Sequence, residues 1–279
     1  MPDIACVNGR FGPLADAVVS VEDRGFQFGD GIYEVIRTYH GQPFALEAHL
    51  QRLQRSAHAL ELAIGQTPAQ WTALIHEGLR LSQFRETKIY LQITRGQAAR
   101  DHPFPDDLAP TTVLTFRELR PLEASIRQVG VPAVTIDDIR WGRCDIKSVN
   151  LLANVLARQR AKEAGAFEAI LVREGLVTEG SVSNVAVVRS GRIQTAPEGN
   201  RILSGVTRAL VLELAKKEGL SVSEAFVTRE DMLAASEVFL TGTTVEVLSV
   251  VRVDGQVIGD GSPGAVSRLL SDRWNALVG

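Results

Sequence analysis

Short β-prone runs closed by tight-turn signals recur along this chain, and they constrain its fold more than any other feature. Asn8-Gly9 follows the first such run, His40-Gly41-Gln42-Pro43 closes another over residues 31–39, and Asp254-Gly255 marks a third. Asn-Gly and Asp-Gly supply the positive φ angles that two-residue hairpins need, so antiparallel neighbours are expected. Residues 3–8 and 16–21 read as strands paired around the Asn8-Gly9 turn, and 88–94 and 111–116 as two more. Leu46, Leu50, Leu53, Ala57 and Leu60 recur at helical spacing, and Trp71, Leu74, Ile75, Leu79 and Leu81 predict a second helix. A charged, proline-bearing segment, 117–123, then reads as a linker. Beyond it, strands are expected near 131–136, 168–173, 184–189 and 237–240, with helices at about 148–164, 206–218 and 264–276. Regular βαβ alternation is missing from this pattern, so the predicted class is α+β.

At 279 residues the chain exceeds the usual single-domain size, and its 45% hydrophobic content is enough for two cores. Two α+β domains are therefore expected, a smaller one over 1–119 and a larger one over 120–279. Basic and acidic residues nearly balance, 30 against 33, and no Lys/Arg run forms a track for a phosphate backbone, which argues against a nucleic-acid partner. The two cysteines, Cys6 and Cys144, give neither a disulfide framework nor a metal-ligand spacing, and Cys144 reads as a small buried thiol. His40, His49, His58 and His76 do not converge on a metal pattern, so no metal site is predicted. No apolar run approaches the roughly 20 residues of a membrane span, and Met1-Pro2-Asp3 does not open a signal peptide. A cytoplasmic chain without a membrane partner is the expectation.

The chemistry concentrates in D-I-R-W-G-R-C-D-I-K-S-V-N, residues 138–150, where Lys147 stands between a β-prone run and a long helix. A lysine at such a junction can reach a cleft and, once partly desolvated, condense with a carbonyl compound to a Schiff base. About thirty residues on, V-T-E-G-S-V-S-N places Glu179 in a turn. A carboxylate facing a pyridine nitrogen keeps it protonated and lets the ring withdraw electrons. Further along, Leu203-Ser204-Gly205-Val206-Thr207 leads into a predicted helix, the arrangement of an anion site at a positive helix end. The chain has neither a G-x-x-x-x-G-K-S/T loop nor a strand-linked G-x-G-x-x-G, which argues against triphosphate or dinucleotide binding.

Two more segments, D-R-G-F-Q-F-G-D-G-I-Y-E-V at 23–35 and T-R-G-Q-A-A-R-D-H-P-F-P at 94–105, complete the pattern. In this order and spacing, over nearly the whole chain, the four segments resemble the fold-type IV pyridoxal-phosphate aminotransferases, and among them most closely the D-amino acid aminotransferases. The resemblance implies a two-domain fold-type IV enzyme with its active site at the domain interface, pyridoxal 5'-phosphate as cofactor, and Lys147 as the Schiff-base lysine, carried by the larger domain. It gives Glu179 to the ring nitrogen and Leu203 to the ring face. It gives Val206 and Thr207, together with Thr243 or Thr244 of T-G-T-T-V-E and Arg52, to the phosphate. Arg52 falls off the Leu46/Leu50/Leu53 stripe, so periodicity alone would leave it in solvent.

For substrate, the resemblance implies a carboxylate receptor made by Arg100 and His102 with Tyr33. The pair enters from the neighbouring subunit of a homodimer with shared active sites. Asp101 stands between the pair, and if it points outward the receptor is intact. Arg140, Trp141 and Tyr90 lie close enough in sequence to line a pocket but gain no specific role. The implied reaction exchanges the amino group of D-alanine and related D-amino acids with 2-oxoglutarate by ping-pong kinetics, with amino acids and keto acids as the partners. The L-specific branched-chain aminotransferases share the lysine, glutamate and phosphate motifs, though an Arg-x-His pair is not expected of them. Aminodeoxychorismate lyases share the scaffold, and Thr38 does not exclude them. A non-catalytic cofactor-binding protein is the remaining alternative, against which both Lys147 and Glu179 count.

Overall fold

Asn8 and Gly9 both take positive φ, 49° and 80°, so the chain reverses in two residues and the partner strand starts at once. Strand β1 (Ile4–Val7) therefore pairs with β2 (Arg10–Pro13), and not with residues 16–21 as the sequence pattern suggested. The computed structural model describes residues 3–279. By its internal contacts the chain falls into two units, one running to Arg120 and including Ile146–Asn150, the other comprising Pro121–Asp145 and Leu151–Gly279. Lys147 thus packs with the first unit, whereas the sequence reading assigned it to a second domain beginning at residue 120.

The first unit contains, after β2, the short helix α1 (Arg24–Phe28), β3 (Gly31–Tyr39), β4 (Gln42–Pro43), α2 (Leu46–Ala59), α3 (Pro68–Ser82), β5 (Thr87–Thr94) and β6 (Thr111–Glu118). Its six strands form one sheet in the order β2-β1-β6-β5-β3-β4, antiparallel throughout. The helices cover it with the predicted stripes: Leu50, Leu53, Ala57, Trp71 and Ile75 bury against Ile36, Ile89, Leu91, Leu114 and Phe116. Thr67 caps α3 through a reciprocal box with Gln70, which fixes where that helix begins.

The second unit contains α4 (Ala124–Val129), β7 (Val131–Asp137), α5 (Leu152–Glu163), β8 (Glu168–Arg173), β9 (Leu176–Gly180), β10 (Asn184–Arg189), β11 (Arg192–Thr195), α6 (Val206–Lys217), β12 (Ser221–Glu224), β13 (Val227–Thr228), α7 (Arg229–Leu233), β14 (Glu237–Gly242), β15 (Glu246–Val253), β16 (Gln256–Val257) and α8 (Ala265–Val278). Ten strands make a mixed sheet in the order β12-β11-β10-β14-β15-β7-β8-β9-β13, with β16 beside β15. The parallel pairs are β11–β12, β7–β8 and β7–β15. One buried cluster joins Val131, Ile170, Val185, Val187, Val238, Leu240 and Val250 across the central strands. Helix α5 starts four residues later than the sequence suggested because residues 148 and 149 pair back onto Gly31 and Ile32 of β3.

Candidate active site

Each unit holds a cluster of buried charged side chains around residues that the sequence singled out. In the first, the segment carrying Lys147 runs beside β3. The Tyr33 N–H donates to the Lys147 carbonyl (2.9 Å), Lys147 N–H donates to Ser56 Oγ (3.1 Å), and Ser148 bridges Ile32. The backbone is held at three points, so the ammonium has a defined origin. Its Nζ lies 4.3 Å from the centre of the Tyr33 ring, which also stacks on Tyr90, with ring centres 5.6 Å apart. Burial, and then Tyr33, push the Tyr90 phenol up to about 12, so it acts as a neutral donor, to Gln92 at 2.6 Å.

Beneath them Glu34 is fully buried. Arg52, only 4% exposed, grips it with two parallel hydrogen bonds, Nε to Oε1 at 2.8 Å and Nη2 to Oε2 at 2.7 Å; His49 Nδ1 lies 2.8 Å from Oε2. Burial alone would raise the Glu34 pKa, but Arg52 and His49 outweigh it and hold the carboxyl at about 2. Burial pushes the His49 imidazole down, against the pull of Glu34, with Arg52 and Lys147 adding to the depression. Arg52 is therefore a buried, oriented cation. Glu34 and His49, to which the sequence reading gave no role, orient it. The signal available was the alternation of β3, which turns Glu34 inward beside Ile32 and Ile36.

In the second unit Glu179, at the end of β9, accepts from Arg140 Nη1, from Asn184 Nδ2 (3.0 Å) and from the Leu203 N–H (3.0 Å). Arg140 is itself held by Asp138, through Nε at 2.9 Å and Nη2 at 2.8 Å. Burial opposes the Arg140 charge, yet Asp138 and Glu179 raise its pKa overall. Arg140 was left without a job by the sequence, and its place on Glu179 supplies one: it fixes where the carboxylate points. Cys144 is buried, its thiol raised first by burial, in keeping with an inert structural residue.

Helix α6 opens at Gly205, which offers no side-chain cap, so the first-turn N–H groups of Val206 and Thr207 find no acceptor there. A Cβ on Gly205 would stand 2.0 Å from Asn184 Oδ1, so only glycine lets the helix start this close to β10. Asn184 is opposite Thr241 in the β10–β14 pair, which brings the Thr243-Thr244 turn to the same end of the sheet. Thr241 Oγ1 is buried with no hydrogen-bond partner among the described residues. Uncapped N–H groups, the buried Thr207 and a neighbouring Thr-rich turn fit a phosphate. A buried carboxylate beside the half-buried Leu203 fits a protonated ring nitrogen.

Arg100 and His102 gather on a third feature, the ring of Phe28. The Arg100 guanidinium lies 4.5 Å from the ring centre and the His102 ring 5.4 Å from it. Both residues are exposed on this chain. Asp101 is exposed too, its Oδ1 accepting from the His102 N–H at 2.8 Å.

The profile of the amino-transferase class IV family matches residues 31–253. The chain belongs to that family. It is 47% identical over 262 residues to the D-alanine aminotransferase of Bacillus licheniformis, covering 94% of this chain and 92% of the relative. With the D-alanine aminotransferase of Staphylococcus haemolyticus it shares 40% over 272 residues, 98% and 96% of the two chains. Among solved structures it is similar to the branched-chain amino acid aminotransferase of Escherichia coli, with a TM-score of 0.93 at 26% identity over 100% of this chain and 95% of the other. It is also similar to a second solved branched-chain amino acid aminotransferase, from T.th., in a structure with pyridoxamine 5'-phosphate; the TM-score is 0.91 at 30% identity over 99% and 93%. The fold is the fold-type IV aminotransferase fold and the chain is an aminotransferase, as the sequence implied. Among the described residues no helix is long and apolar enough to cross a membrane, and no group of His, Cys, Asp and Glu is arranged to hold a metal.

Proposed function

We propose that this chain is a D-amino acid aminotransferase that uses pyridoxal 5'-phosphate to move the amino group of D-alanine to 2-oxoglutarate. The observation that carries the reading is the Arg100/His102 pair set on Phe28, in a chain 40–47% identical to D-alanine aminotransferases over nearly its full length. An arginine fork beside a histidine donor suits a carboxylate.

When bound, the cofactor supplies a ring that takes up the electrons left at the substrate α-carbon. Lys147 would hold the cofactor through Nζ, and the same amine, once free, would be the group placed to move a proton at the substrate α-carbon. Tyr33, under Nζ, limits where that amine can swing. Glu179 would hold the protonated ring nitrogen, and Arg140, Asn184 and the Leu203 N–H fix where its carboxylate points. The first turn of α6, Thr243 or Thr244, and the buried Arg52 serve the phosphate, while Leu203 supports the ring. Arg100 and His102, with Tyr33, take the substrate carboxylate and so select one enantiomer. Their exposure on one chain suits delivery to a second copy in a homodimer.

The branched-chain L-reading has the solved relatives in its favour, at 26% and 30% identity. Against it stand the higher identity to D-alanine aminotransferases and the Arg100/His102 pair. Borohydride reduction of the cofactor-loaded protein followed by peptide mass spectrometry is expected to leave a pyridoxyl group on Lys147. Steady-state rates are expected to favour D-alanine over L-alanine and L-leucine. A label on another lysine would remove the catalytic assignment, and a preference for L-leucine would remove the D-specific one.

A further inference from the structure

The stretch between Thr94 and Thr111 has no regular secondary structure, yet it carries both proposed receptor residues. A loop of that length holds a shape only where side chains tie it down. The ties come from α1 and from the first residue after β5. Arg24, 3% exposed, spreads its fork over three acceptors: Nε donates to Asp30 Oδ2 (2.8 Å), Nη1 to the Asp101 carbonyl (2.6 Å) and Nη2 to the His102 carbonyl (3.1 Å). Asp30 Oδ2 also accepts from Arg95 Nε at 2.8 Å. Arg95 in turn donates to the Glu61 and Leu60 carbonyls and stacks on Phe104, 3.6 Å from the ring centre. One carboxylate therefore joins two arginines that grip the loop at 101–102 and at 104. The guanidinium groups of Arg24 (4.8 Å) and Arg100 (4.5 Å) both lie over the Phe28 ring, so the side chain at one receptor position stacks on the helix that clamps the backbone at the next two.

Helix α1 is built to bear on this loop. Asp23 caps it, accepting from the Gly25 N–H (2.8 Å) and from the Thr94 hydroxyl (2.9 Å) at the end of β5. A Cβ on Gly25 would stand 2.2 Å from Thr94 Cγ2, so the glycine of D-R-G lets the helix lie flat on that strand. Gly29 ends the helix in the left-handed region, φ 69°, which directs Asp30 back to Arg24.

We infer that Arg24 is a positioning residue for substrate selection: by holding the carbonyls of Asp101 and His102 it sets the backbone from which Arg100 and His102 meet a D-amino acid carboxylate. The inference rests on the reading of Arg100 and His102 as the carboxylate receptor. A guanidinium suits the place because its three nitrogens, set apart in a planar fork, each meet a separate acceptor, whereas a lysine would have to draw all three acceptors to one nitrogen. When Arg24 is replaced, Asp30 keeps Arg95, so its carboxylate is not left without a cation.

The test is a kinetic cycle on the cofactor-loaded enzyme with D-alanine and 2-oxoglutarate. Arg24→Gln is expected to raise the KM for D-alanine by roughly tenfold or more with kcat within about threefold, and to leave the cofactor absorption band and affinity unchanged. In an Arg100→Ala/His102→Ala background, the same change is expected to add less than about twofold, because a positioning residue has nothing left to position. Arg24→Lys, which keeps a charge for Asp30, is expected to recover only part of the loss. If Arg24→Gln does not fold, Arg24→Lys decides, and a folded lysine variant with wild-type KM overturns the inference. An Arg24→Gln loss that adds in full to the double variant also overturns it, as does a wild-type KM in Arg24→Gln while the double variant is impaired. A wild-type KM in the double variant overturns the receptor reading itself, and the Arg24 role with it.

Discussion

Inside the first unit one buried carboxylate, that of Glu34, neutralises Arg52 and receives His49. Glu34→Gln leaves a buried guanidinium without its charge partner, and breaking such a pair from one side costs on the order of 3–5 kcal/mol. The expected result is an unfolding free energy, from urea titration at pH 7, lowered by that amount, with weaker cofactor retention if Arg52 holds the phosphate as proposed. The same cluster sets a pH dependence. The Glu34 carboxyl is held at about 2 against an ordinary value of 4.5, so its contribution is complete above about pH 4.5 and is lost as pH falls toward 2. His49 is also depressed, chiefly by burial, so the folded state binds fewer protons than the unfolded state. Its contribution is present above about pH 6.5 and is lost as pH falls through the lowered value. Both act in one direction: unfolding free energy is expected to decline as pH falls below about 6.5, and Glu34→Gln to flatten the part below about pH 4.5. An unchanged acid limb in the variant would show that the carboxylate does not carry it.

Among the elements of the second unit, α6 meets β10 with no room for a side chain at the residue that opens the helix. Gly205→Ala places a methyl 2.0 Å from Asn184 Oδ1, and Asn184 is the residue that donates to both Glu179 and the Leu203 carbonyl. Moving it disturbs the helix start and the Glu179 carboxylate together. Titration of the apoenzyme with pyridoxal phosphate is expected to show affinity reduced by roughly tenfold or more, about 1.4 kcal/mol, in a folded protein. Unchanged affinity would mean that α6 does not seat the phosphate. The elements legible in the sequence were those with a long, regular pattern: α2 and α3 by their leucine stripes, and β5, β6 and β8 by their apolar content. Helix α1 was not, since five residues are too few to show a period. Residues 16–21 misled because a run of valines reads as a strand, though the two-residue turn had already committed β2 to Arg10. The clusters escaped for another reason. That Glu34 meets Arg52, that Glu179 meets Arg140, and that Lys147 follows β3 are facts of tertiary pairing, and spacing along the chain does not encode them.

At the scale of the whole molecule, the proposed homodimer with receptor residues lent between subunits makes a prediction no single chain can imitate. Lys147→Ala removes the proposed attachment point and leaves the proposed receptor loop intact, whereas Arg100→Ala/His102→Ala does the reverse. If each site draws its lysine from one subunit and its receptor from the other, a mixed dimer holds one site with neither substitution and one with both. After unfolding and refolding at equal concentrations, about half of the dimers are mixed, so roughly a quarter of all sites are whole. D-alanine turnover in the mixture is therefore expected to recover toward roughly a quarter of the wild-type rate, from two parents that are each far less active. Recovery should rise and fall with the fraction of mixed dimers as the mixing ratio is varied, and sedimentation should report one dimeric species. If lysine and receptor serve the same site from one chain, every site in the mixture carries a defect, and the activity stays at the average of the two parents whatever the ratio.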